Sequence, residues 1–111
     1  MAQAAHAANQ FIFEAQFNVD QNLQNKVREW QEETPYGFGT TIVLDAHSDE
    51  LIYKTLTWLS PKDYFAREVV DPEYVIKDGE VAVTLRDVLT CAFVFPISGD
   101  VRELKKFALY P

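Results

Sequence analysis

Asp45, His47 and Asp49 fall at alternate positions with Glu50 adjoining, and each could bind a metal ion or move a proton. On extended backbone, alternate side chains point the same way, so the three could face one ion. A structural zinc site usually has four ligands with cysteine among them, and a catalytic one needs three ligands, an open position and hydrogen-bonded support behind them. A solvated turn accounts for the same residues without an ion, and no metal is expected. Cys91 sits in Leu-Thr-Cys-Ala-Phe-Val-Phe, with no neighbouring charge to stabilise a thiolate, so it reads as a buried small hydrophobe. His6 has no acid or cysteine near it in sequence, and the neighbours Glu32-Glu33 and Asp49-Glu50 point in different directions rather than forming a dyad. The glycine-rich phosphate loops, the G-x-S-x-G elbow and the CxxC pair are all absent. No catalytic residue is assigned and no cofactor is expected.

The aromatic residues are more informative. Eight Phe, five Tyr and two Trp in 111 residues include Phe11, Phe13 and Phe17 in one segment, Tyr53 and Trp58 in another, and Tyr36 and Phe38 beside glycines. If the two segments are strands, their rings fall on both faces of a sheet, and one core cannot take them all. An apolar face left over in this way is normally covered by a partner or a ligand.

These residues need elements to position them. Residues 11–17 alternate, with Phe11, Phe13, Ala15 and Phe17 on one side and Glu14 and Gln16 on the other, which predicts a half-buried strand. Leu23, Val27 and Trp30 then follow helical spacing, and the helix should stop before Thr34-Pro35. Residues 40–46 are rich in β-branched side chains and 51–59 alternate again, so with the polar turn 47–50 they predict an antiparallel hairpin. Ser60-Pro61-Lys62-Asp63 resembles a helix start and predicts a short helix to about Glu68. Residues 74–76 and 81–83 flank Lys77-Asp78-Gly79-Glu80, a second hairpin with Asp-Gly suited to a type I′ turn. The segment 85–96 fits two patterns: Leu85, Val88, Leu89, Ala92 and Phe93 have helical spacing, whereas 89–97 is a continuous apolar run. The Thr84 and Asp87 pair resembles a capping box and favours a helix over 85–93. Asp100 with Glu103 suggests a further helix that closes the chain.

The expectation is an α+β fold: residues 1–9 a flexible N-terminal tail, and 10–111 a single domain with an antiparallel sheet of about four to five strands and helices mainly on one face. The order strand, helix, strand, strand, helix, strand matches the start of a ferredoxin-like (split βαβ) sandwich, with extra C-terminal helices. One cysteine excludes an internal disulfide and suits a reducing, cytoplasmic setting, and the alanine-rich start has neither the basic region of a secretory leader nor the length of a membrane span. A net charge of −7 opposes contact with nucleic-acid phosphates and anionic lipid surfaces.

Three functions follow in order of fit. The first is a non-enzymatic interaction or accessory module that self-associates as a homodimer through an aromatic sheet face formed by Phe11, Phe13, Phe17, Tyr36, Phe38, Tyr53 and Trp58. The second is a small cofactor-free enzyme or binder of a hydrophobic small molecule, with His47, Tyr53 and Trp58 lining a pocket between sheet and helices. The third is an acidic nucleic-acid mimic, which would need Asp20, Glu29, Glu32 and Glu33 clustered on one face. Lys26 and Arg28 interleave with them.

Overall fold

The computed structural model describes residues 2–98, 101–104 and 107–109, and among these the chain is α+β. Helix α1 runs Ala2–Gln16 and α2 runs Gln21–Glu32. A two-residue strand, β1 (Leu44–Asp45), precedes α3 (Asp49–Trp58). Two long strands follow, β2 (Tyr64–Asp78) and β3 (Val81–Pro96), then a 3-10 turn at Val101–Leu104 and β4 (Ala108–Leu109). No helix among the described residues is long and apolar enough to cross a membrane.

The strands pair as two separate antiparallel ribbons, β1 with β4 and β2 with β3. Among the described residues no single sheet of four to five strands is seen, and the ferredoxin-like arrangement is not borne out. The β2–β3 ribbon dominates. Fifteen residues at about 3.3 Å each span roughly 50 Å, which matches the 49 Å long axis of the molecule. Val69 pairs with Cys91 and Val70 with Leu89, so Thr90 is the extra residue of a bulge. The turn is made by Gly79 and Glu80, one position later than expected, and only Gly79 has positive φ (61°), the pattern of a type II′ turn.

Of residues 11–17, expected as a strand, 11–16 form the second half of α1 with Phe17 just past its end, and residues 2–9 of the expected tail form its first half. Five alanines among residues 2–8 supply the strongest helix-forming tract in the chain, and a nucleated helix propagates at little cost. Spacing by four puts Ala7, Phe11 and Ala15 on the core side, with the small residues letting the helix sit close. Residues 51–58 of the expected strand 51–59 likewise belong to helix α3, with Leu59 at its C-cap. Ser48 caps it, its Oγ accepting from Leu51 N at 3.2 Å, and Asp49 and Glu50 favour its positive N-terminal end. Only Leu44–Asp45 of the expected strand 40–46 is in a ladder. The helix signature at Ser60 closes a single turn, with Asp63 N and Tyr64 N both donating to Ser60 O, before β2 begins. The expected helix 85–93 is part of β3, because most of its residues pair with β2 and find their backbone partners there. Of the expected C-terminal helix only the short turn Val101–Leu104 is described, and Asp100 lies outside the described residues.

The core lies where α1, with α2 packed against it, rests on the part of the β2–β3 ribbon that carries Phe65, Val69, Phe93 and Phe95. Phe11 contacts the rings of Trp30, Phe65, Phe93 and Phe95 at centroid distances of 4.9 to 6.0 Å. Leu23, Val27 and Val69 complete it.

Candidate functional site

The Asp45, His47 and Asp49 series forms a corner rather than an ion site. Asp45 Oδ1 accepts from His47 N at 2.9 Å, and Asp45 Oδ2 lies 3.5 Å from His47 Nδ1. These contacts hold His47 in the left-handed region at φ 65° and turn the chain into the cap of α3. Among the described residues no three His, Cys, Asp or Glu side chains are placed to share a metal.

Cys91 is half-buried on the ribbon, and its thiol donates to Gln3 O at 3.2 Å. Burial pushes the thiol pKa up, a hydrogen bond with Thr90 opposes this, and the Asp71 carboxylate adds to the rise. A thiol held protonated is a poor nucleophile. His6 lies on α1, with Nδ1 4.0 Å from Asp71 Oδ2.

The seven aromatic residues separate. Phe11 is 5% exposed and belongs to the core, not to a surface. The other six are exposed, but on helices and a loop instead of a sheet face: Phe13 on α1, Phe17 just past its end, Tyr36 and Phe38 after α2, and Tyr53 and Trp58 on α3. Tyr53 and Trp58 are five residues apart on a helix and so face different sides. With His47 they line neither of the two clefts described next, and the space between ribbon and helices is filled by the ring cluster around Phe11.

One cleft, of about 450 Å³, is bounded by Arg28, Gln31, Glu32, Thr34, Pro35 and Gly37 at the end of α2. The other, of about 250 Å³, lies between α1 and β2 and is lined by Phe13, Glu14, Phe17, Asn18, Phe65 and Arg67. Its geometry is built from both elements. Phe13 and Phe17 are one helical turn apart and pack edge to face at 5.1 Å. Phe65 and Arg67 alternate on β2 and share a face, with the guanidinium 5.0 Å from the Phe65 ring centroid. Arg67 Nη1 also donates to Ala66 O at 2.8 Å, and Glu14 accepts from Gln10 Nε2 at 3.0 Å. Gln24, reaching from α2, donates to the carbonyls of Ala15 (2.6 Å) and Asn18 (2.8 Å) and fixes the corner that carries Phe17.

Phe13 remains 61% exposed and Phe17 69%. Glu14 is the sole formal charge in α1, although a quarter of the chain is charged. Sequence reasoning had named Phe13 and Phe17 but missed Glu14, Phe65 and Arg67, which reach the cleft only once α1 is a helix. The usable signal was the absence of Lys, Arg, Asp and Glu from residues 1–13. No family model matches the sequence, and no curated protein or solved structure matches the chain.

Proposed function

We propose that this protein is a non-enzymatic interaction module of a reducing, cytoplasmic environment, and that it self-associates through the aromatic shoulder of α1. The observation that carries this reading is the Phe13–Phe17 pair, two rings held edge to face and mostly in water at the end of a helix almost free of charge. Water-exposed rings fixed by packing present apolar area at small entropic cost, the property that places aromatic residues at the centres of interfaces.

The exposed parts of the two rings amount to roughly 250 Å² per protomer on the usual aromatic areas. Buried on both sides of a dimer they give about 500 Å², small beside the roughly 1,200–2,000 Å² of a stable interface, so association through them is weak. The surface therefore supports a reversible, concentration-dependent dimer. The discriminating experiment is light-scattering mass across a wide concentration range. A rise from monomer to dimer is expected, and a constant monomer mass would refute self-association.

A further inference from the structure

Resting on that reading, we infer that the cleft between α1 and β2 receives the Phe17 ring of a second copy, in a two-fold arrangement that sets Arg67 of each protomer against Glu14 of the other. Size is the first argument. The cleft is an open surface groove of about 250 Å³, wide enough for a phenyl ring to lie against its lining without being enclosed. Its lining suits a phenyl group, with Phe13 and Phe65 as apolar walls and a guanidinium at the rim able to meet a ring face.

The surface also carries both halves of the contact. Phe17, 69% exposed, packs on Phe13 and itself lines the cleft that would receive its counterpart. A knob and a hole side by side are what an isologous interface requires, since a two-fold axis uses each patch twice.

Charge selects the occupant. Two chains of −7 each repel, so they can meet only where the surface is neutral or self-complementary. The cleft holds one acid and one base, Glu14 and Arg67, and a two-fold axis through it brings opposite charges together twice.

The experiment is sedimentation equilibrium of the full chain and four variants, Phe17→Ala, Arg67→Glu, Glu14→Arg and Glu14→Arg/Arg67→Glu, with circular dichroism to confirm that each is folded. Phe17→Ala should weaken self-association by about tenfold or more, as truncation of a central interface ring does. Each single charge reversal should weaken it as well, and the double reversal should restore it, a result that a merely sticky surface would not produce. A dimer whose dissociation constant is unchanged in Phe17→Ala and Arg67→Glu would overturn this interface while leaving self-association standing. A monomer at every concentration would overturn both. If Glu14→Arg does not fold, Glu14→Gln still reads the loss of the pair, and equal association of that variant and the native chain would count against the arrangement.

Discussion

Truncating Phe11 and Phe13 separately gives the sharpest test of how the N-terminal segment is folded, because the two residues share a face in a strand and lie about 200° apart in a helix. In the structure Phe11 is 5% exposed and touches four rings, the nearest being Phe95 at 4.9 Å, whereas Phe13 is 61% exposed and touches Phe17. Removing a fully buried phenyl group leaves a cavity that the stacked rings cannot all relax into, and such substitutions cost about 3–5 kcal/mol. Phe13→Ala gives up one helical pair and little burial, a loss under about 1 kcal/mol. Urea unfolding followed by far-ultraviolet circular dichroism reads the difference. With slopes of about 1–3 kcal/mol per molar, Phe11→Ala should lower the midpoint by about 1 M or more. The measurements belong at low protein concentration, so that the proposed self-association does not add to the stability of the native form. Where Phe11→Ala fails to fold, Phe11→Leu should fold with a loss of about 1–2 kcal/mol. Similar losses at the two positions, or a larger one at Phe13, would refute the helical assignment and the core built on it.

Gly39 has φ +70° and a Cβ there would fall within the Trp30 indole, so Gly39→Ala should cost more than about 2 kcal/mol and shift tryptophan fluorescence; Gly37→Ala, with φ +76° and open space around it, should cost only about 1–2 kcal/mol. Asp20 caps α2 by accepting from Asn22 N and Leu23 N, so Asp20→Ala should lose about 1 kcal/mol in chemical denaturation while Asp20→Asn keeps most of it. The raised Cys91 pKa predicts slower alkylation than that of an exposed peptide cysteine between neutral and mildly alkaline pH, and unfolding in urea should abolish the difference. Because the folded thiol binds its proton more tightly than the unfolded one, its contribution to stability is complete below the ordinary thiol pKa and is lost as pH rises through the higher folded value, which a pH series of denaturation curves checks.

The parts legible in the sequence are those whose periodicity has one solution. Leu23, Val27 and Trp30 fit helix α2 and nothing else, and Asp78-Gly79 marks the ribbon's reversal to within one residue. Residues 11–17 illustrate the opposite case. Phe11 with Ala15, and Phe13 with Phe17, satisfy period two and spacing by four at once, so the pattern is degenerate, and the alanine tract before it decides. In 51–59 the strand reading needed 47–50 to be a hairpin turn, yet Ser48 followed by Asp49 and Glu50 is a cap with acids in the first turn. Over 85–93 local spacing lost to a long-range partner, since β2 pairs with nearly every residue of β3, and no local window contains that partner.

Turning one strand into a helix also moves the functional surface. As a strand, 11–17 would have left an aromatic sheet face bare. As a helix it sends Phe11 inward and stands Phe13 and Phe17 beside β2, where Phe65 and Arg67 complete a cleft. The open ribbon is the other surface on which copies of this chain could meet, because its edges have no third strand among the described residues, and Val81 and Val83 are exposed. Residues 71–87 nevertheless carry five acids against two bases and a proline at position 72, features that oppose edge-to-edge pairing of two identical chains. Residues 2–16 carry a single acid, Glu14, which lines the same cleft as Arg67. The sparse charge of α1 and the exposed Phe13 and Phe17 rings therefore favour the proposed α1 shoulder over the ribbon edge as a surface for self-association.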